Sequence, residues 1–234
     1  MPHRTSNEYV LSFYRVRQAL GILGLLFPVL LLFGGLLQDA KIHPSISDYY
    51  HTTLRDLFVG VLFAIGIFLV SYKGHSREPG EPLSDNLAAT LAGIGAFGLA
   101  IFPNRFAPET LNIFQYYLEA KAGILHFTSA ILFLGSMAYF CLGKFARTAN
   151  LRRRLVYRWC GWAIILFGLG ATLASILRAS GPESWRNMIE SSGLIFWFEA
   201  FGIWAFGLSW LIKGKADIAL VNRFRARRKH APKP

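Results

Sequence analysis

Charge is what this chain of 234 residues lacks: Asp, Glu, Lys and Arg together supply 16% of it, where an average soluble domain carries about 25%. So few charges do not clothe the surface of a soluble protein of this length. A composition that is 53% hydrophobic excludes intrinsic disorder, which requires low hydrophobicity. The two cysteines, Cys141 and Cys160, have neither redox nor metal-ligand spacing and cannot form a disulfide framework, so packing is the expected role for both. Also missing are a Walker sequence, a hydrolase elbow and an H-E-x-x-H helix, the short motifs that announce nucleotide, serine-hydrolase or metalloprotease chemistry. The length suits one compact unit without a separate soluble catalytic module.

What the chain has instead is long apolar runs and aromatics, with 20 Phe, 9 Tyr and 6 Trp. The runs cover residues 19–37, 57–72, 87–103, 122–142, 159–177 and 194–212. Each is about 16 to 21 residues long, near the roughly 20 that a membrane-spanning helix needs. The second and third are short and must extend into their polar flanks. None shows a sustained polar face, which argues against a soluble amphipathic bundle. The expectation is an all-α polytopic membrane bundle of six spans, built from segment 1–18, a transmembrane domain 19–212 and a basic tail 213–234. The first run is too long for the apolar part of a signal peptide and ends at Gln38-Asp39 without a small-x-small site, so it reads as a retained helix.

The net charge of +12 is distributed as a topology signal. Nineteen of the 25 Lys and Arg residues fall in the N-terminal segment, the second and fourth loops and the tail, and six fall on the opposite side. By the positive-inside rule both termini are cytoplasmic. Cys141 and Cys160 then lie toward the reducing side. The cluster at 223–229 is expected to lie against anionic lipid headgroups, at about 1 kcal/mol per charge. No nucleic-acid-binding fold or base-stacking motif accompanies it, so nucleic acid is not an expected partner.

The string Gly93-Ile94-Gly95-Ala96-Phe97-Gly98 has the spacing of a dinucleotide fingerprint, but no strand precedes it. Small residues there, and at Gly168, Gly170 and Ala174, are expected to let helices approach closely in lipid. Asp85 and Asn86 are expected to cap the third span, and Lys121 to snorkel from the fourth. No charge falls at mid-membrane and no span is visibly broken, which disfavours a transporter.

Polar residues converge instead on the outer side. A helix beginning near Ser47 would align Ser47, His51 and Arg55 in one row, and Asp48, Thr52 and Asp56 in the next. His126 lies one turn inside the fourth span, Glu199 is similarly placed in the sixth, and Arg178 ends the fifth. Ionisable groups at such depth usually face the bundle interior and often mark function. His51 and His126 with Asp56 or Glu199 would make a zinc set whose bound water is a nucleophile. Ser47 would then hydrogen-bond a developing oxyanion, with Ser47 and Asp56 as the catalytic pair. Arg55, Arg178 and Glu199 would hold a polar ligand such as a lipid headgroup. The plain structural reading is a polar cap of ion pairs, with Tyr49, Tyr50, Tyr116, Tyr117 and Trp185 as an aromatic belt. A non-catalytic scaffold that docks a partner through its tail is the remaining reading.

Pro44-Ser45-Ile46-Ser47-Asp48 with Arg55-Asp56-Leu57-Phe58-Val59-Gly60, Asn86 and His126 resembles bacterial six-span membrane proteins of unknown function, and the DRAM/FRAG group of autophagy modulators and GPI-lipid remodelling factors. The likeness covers about residues 19–142. It implies a six-helix bundle associated with membrane lipids, in a bacterial inner (plasma) membrane. Ser47-Asp48-Tyr49-Tyr50-His51 is also similar to the S-x-x-x-H element of the CREST membrane hydrolases, which implies a zinc ligand at His51. The late H-x-x-x-H pair of that superfamily is absent here, and its members have seven spans.

Overall fold

The apolar runs fold as helices, and the polar stretches between them become short turns at the two ends of a bundle. The computed structural model describes residues 6–74, 77, 79–105, 113–118 and 121–215, and among these every regular element is helical. In order they are α1 (Ser6–Asp39), a 3-10 turn (Ser47–His51), α2 (Arg55–Val70), α3 (Asp85–Ile101), α4 (Ile113–Leu118), α5 (Lys121–Tyr139), a π-helical extension (Phe140–Phe145), α6 (Leu151–Ser180), α7 (Glu183–Ser192) and α8 (Leu194–Lys213). The cluster at 223–229 and the side chain of Tyr116 lie outside the described residues.

Four stretches are long and apolar enough to cross a membrane: Tyr14–Gln38, Lys121–Phe145, Leu151–Ser180 and Leu194–Lys213. Helices α2 and α3, with 16 and 17 residues, rise only about 24–26 Å at 1.5 Å per residue. The bundle exposes many large apolar side chains on its outside, among them Leu30, Phe33, Ile67, Ile94, Ile131, Leu166 and Leu173. Soluble proteins rarely show such a surface. These features define a helical membrane protein.

Neighbours follow one another around a ring, α1 to α2 to α3 to α5 to α6 to α8 and back to α1. The tight contacts run through glycine. A Cβ on Gly207 would meet the Gly21 carbonyl oxygen at 2.9 Å, where α8 crosses α1. The sequence string at 93–98 serves two interfaces. A Cβ on Gly93 would strike the Gly66 oxygen of α2 at 2.9 Å, and one on Gly95 would meet the Phe133 nitrogen of α5 at 2.7 Å. At Gly168 the expectation of close approach fails: an added Cβ would find only a Leu134 methyl, at 3.5 Å. Pro28 lies inside the continuous helix α1 and removes the N–H that would reach the Gly24 carbonyl. One residue on, the Leu25 carbonyl accepts from the Trp204 indole at 3.1 Å and ties α1 to α8.

Two ends of the bundle are polar. At the lower end Ser84 caps α3 by accepting from the Leu87 N–H at 3.1 Å. The capping role expected of Asp85 and Asn86 therefore belongs to Ser84. Asp85 is buried and pairs with Lys144 at 3.1 Å, and Lys144 also bonds Glu81, so one buried ammonium holds two buried carboxylates. Nearby, Arg17 donates to the Tyr72 hydroxyl at 2.8 Å.

At the upper end the helix expected to begin near Ser47 does not run on into α2. The 3-10 turn ends at Thr52, whose backbone is extended. The Thr52 hydroxyl donates to the Tyr49 carbonyl at 2.8 Å and accepts from the Leu54 N–H at 3.1 Å, which fixes the break. Arg55 and Asp56 thus start a new helix, and the two expected rows do not form. Tyr49 and Tyr50 are not belt residues but fully buried core. Tyr117 and Trp185 are exposed at this end.

Candidate functional site

The upper polar site is assembled by clamping the segment after α1 onto the first turn of α8. The Phe196 N–H donates to the Pro44 carbonyl at 2.8 Å. Three residues on, the Glu199 carboxylate accepts from the Ser45 hydroxyl at 2.7 Å and from the Ile46 N–H at 2.6 Å. The Ser47 N–H goes to the Ser45 oxygen at 3.0 Å and the Asp48 N–H to the Ser45 carbonyl at 3.2 Å. Every backbone donor from Ile46 to Asp48 is engaged in holding the turn.

This clamp aims Asp48 inward, where it is 4% exposed. Its carboxylate accepts from Arg178 of α6 at 2.7 Å and from Asn104 after α3 at 2.9 Å, with Arg105 at 3.9 Å. Arg178 also donates to Glu190 of α7 at 3.1 Å. Asn104 in turn accepts from His51 at 3.2 Å. Burial lowers the His51 pKa, and the Arg105 charge lowers it further.

His126 is 3% exposed. Its Nδ1 lies 2.7 Å from the Phe102 carbonyl, which only accepts, so Nδ1 carries the hydrogen. Nε2 of the neutral ring is then the acceptor for the Ser47 hydroxyl at 3.0 Å. A hydroxyl bonded to an imidazole whose other nitrogen is held is the geometry of an activated nucleophile. An oxyanion hole normally accompanies it. The backbone N–H groups around Ser47 are used elsewhere and do not form one.

Three neighbouring spaces share wall residues here. A polar chamber of about 360 Å³ is lined by Ser47, Asp48, Asn104, His126, Arg178 and Glu199, with Arg105, Arg186 and Glu190 also in its wall. Below it, an apolar cavity of about 80 Å³ inside the ring shares Ser47 and Glu199 and is otherwise walled by residues such as Phe58, Phe133 and Phe206. To the side, a groove of about 460 Å³ between α5 and α6 shares Phe127, Ser175 and Ala179 with the chamber.

Of the residues singled out in the sequence, Ser47, His126, Arg178 and Glu199 line this chamber. His51 does not line it and is joined to it through Asn104 at 3.2 Å. Arg55 turns away and lies over the Tyr50 ring at 4.5 Å, donating to its hydroxyl at 3.0 Å. Asp56 is exposed on α2 and does not line the chamber. The side chains do not fit the zinc set. Both His126 nitrogens are engaged, and among the described residues no three His, Cys, Asp or Glu side chains are grouped to hold a metal ion. Sequence reasoning passed over Ser45, Asn104, Arg105 and Glu190, and placed Asp48 in a row that does not exist. The signal for Asn104 and Arg105 was their position directly after Pro103 at the end of the third run.

In comparisons with known proteins, no family model, no curated protein and no solved structure matches this chain.

Proposed function

We propose that this is an integral membrane protein of six spans, with both termini in the cytoplasm, whose outward-facing chamber binds a lipid headgroup. The place of α2 and α3 in the ring supports reading them as the two further spans, although each is short. The nineteen-to-six division of basic residues supports the orientation, with the chamber at the outer face. The basic cluster at 223–229 then meets anionic headgroups at the inner face. The sequence resemblance suggests a bacterial inner membrane.

One observation supports the binding reading: a chamber of about 360 Å³ lined by charged groups of both signs shares the wall residues Phe127, Ser175 and Ala179 with an apolar groove between α5 and α6. Its volume lies in the usual ligand range of about 300–1,000 Å³. A ligand suited to both surfaces is an amphiphile whose anionic polar end sits among Arg105, Arg178 and Arg186 of the chamber wall. The test is native mass spectrometry of protein extracted from phospholipid vesicles. Wild type is expected to retain phospholipid, and an Asp48→Asn, Arg178→Gln variant to release it. Equal retention would remove the chamber from the binding function.

The Ser47–His126 hydrogen bond favours a second reading, cleavage of a lipid ester or amide by Ser47 with His126 as base. The engaged backbone donors place it behind binding. Product release from a phospholipid by wild type but not by Ser47→Ala would bring it forward.

A further inference from the structure

The α5–α6 groove is the widest apolar space in the site, and its shape says what enters it. Several glycines of the ring, such as Gly93, Gly95 and Gly207, bring helices into contact, but Gly135 and Gly168 do not. A Cβ on Gly135 would meet nothing within 4 Å, and one on Gly168 only the Leu134 methyl. Both glycines line the groove, so these small residues widen a seam instead of closing it. The seam shares three wall residues, Phe127, Ser175 and Ala179, with the polar chamber and so lies directly beside it.

Length supports the same occupant. The groove spans residues 127–135 of α5 and 164–179 of α6, about 12 to 22 Å at 1.5 Å per residue. One leaflet of a hydrocarbon core is about 15 Å deep. The inner cavity of about 80 Å³ holds small groups but no chain.

We infer that the α5–α6 groove is a lateral seat for one hydrocarbon chain of an outer-leaflet phospholipid, whose phosphate-bearing headgroup enters the chamber sideways from the membrane. This rests on the headgroup-binding reading and adds the ligand class and its route. Lipid tails are as apolar as the groove, so the seat supplies shape and access while the chamber supplies most of the affinity. Filling the groove must therefore block membrane lipid without harming the chamber.

The experiment uses full-length protein reconstituted in phosphatidylethanolamine and phosphatidylglycerol vesicles, extracted in mild detergent and weighed intact with its bound lipid. A Gly135→Leu, Gly168→Leu variant fills the groove. Gly60→Leu is the control, because a Cβ at that exposed glycine of α2 also meets nothing within 4 Å. Retained phospholipid is expected to fall about tenfold or more in the groove variant, equivalent to about 1.4 kcal/mol of binding, and to stay at the wild-type level in Gly60→Leu. Chainless glycerophosphoethanolamine, added in solution, is expected to bind wild type and groove variant alike, with inorganic phosphate competing. Full lipid retention in the groove variant, or equal loss in Gly60→Leu, overturns the lateral seat. Failure of wild type to bind either the lipid or the chainless headgroup overturns the chamber reading itself.

Discussion

Arg178, two residues before the end of α6, places Nη1 2.7 Å from a carboxylate oxygen of Asp48, 130 positions earlier in the chain. One guanidinium thereby joins the turn after α1, the end of α6 and, through Glu190, helix α7. Asp48 is buried, so the pair is structural as well as part of the chamber wall. Arg178→Ala leaves the carboxylate buried beside a lost partner. Breaking a buried pair costs about 3–5 kcal/mol, and the partial exposure of Arg178 puts the expected loss at the lower end. Asp48→Asn together with Arg178→Gln is expected to cost less than Arg178→Ala alone. Thermal unfolding in detergent over the double-mutant cycle checks this, and additive losses would show that the two groups act independently.

Glu199 holds the other side of the same turn. Glu199→Ala orphans the Ser45 hydroxyl and the Ile46 N–H, at about 1–3 kcal/mol for each donor left buried and unpaired. Glu199→Gln keeps an acceptor oxygen and should lose less. The turn also carries Ser47 and Asp48, so phospholipid retention should fall in the alanine variant before the fold is lost. Unchanged retention in Glu199→Ala would mean that the clamp does not position the chamber.

Acid should loosen the upper end through His51. Its surroundings (burial, then Arg105, with a smaller contribution from Arg55) lower its pKa against the opposing pull of Asn104 and Asp48. The unfolded chain takes up this proton below about pH 6.5, whereas the folded protein resists until a lower pH. Between those values the unfolded state binds more protons, so stability falls as pH drops. His51→Gln keeps a donor for Asn104 and should show a shallower loss between pH 7 and 5 in the same unfolding assay. An identical slope in wild type and variant would assign the pH dependence to other groups.

At the lower end Lys144 compensates Glu81 and Asp85 together. Lys144→Met leaves two buried carboxylates side by side and is expected to cost about 3–5 kcal/mol, as for other broken buried pairs. Restoring Glu81→Gln in that background should recover part of the loss. Lipid retention at the distant chamber should not change in molecules that remain folded, which separates the two polar ends by experiment.

Gly95 and Gly135 make a matched pair within the bundle. Gly95→Ala drives a methyl into the α5 backbone and should cost about 1–3 kcal/mol, the usual penalty of overpacking. Gly135→Ala adds a methyl to open space and should be near neutral. Similar unfolding temperatures for the two variants would count against the packing described for α3 and α5.

Much of the architecture was legible because hydrocarbon length and loop charge are one-dimensional properties. Apolar runs near 20 residues must become helices in lipid, where backbone groups find partners only within the helix. The helical membrane class and the polar convergence of Ser47, His126, Arg178 and Glu199 follow from counting residues along those helices. Counting failed where the backbone departed from a continuous helix. The Thr52 hydroxyl caps a 3-10 turn and restarts the chain at Arg55, so a row drawn through Ser47, His51 and Arg55 had no basis in space. Asp56 went to the surface for the same reason.

Composition and periodicity alone settle that this chain belongs in a membrane, since so much apolar surface with so little charge has no other solvent. They also settle that its ionisable groups gather at the ends of the helices. Which of those groups meet was decided by the ring of helices, because ion pairs such as Asp48–Arg178 join positions with no local relationship. The ring also decided that Gly95 closes an interface while Gly168 leaves one open. The two glycines are identical in sequence terms, and what differs is the distance to the helix across from each.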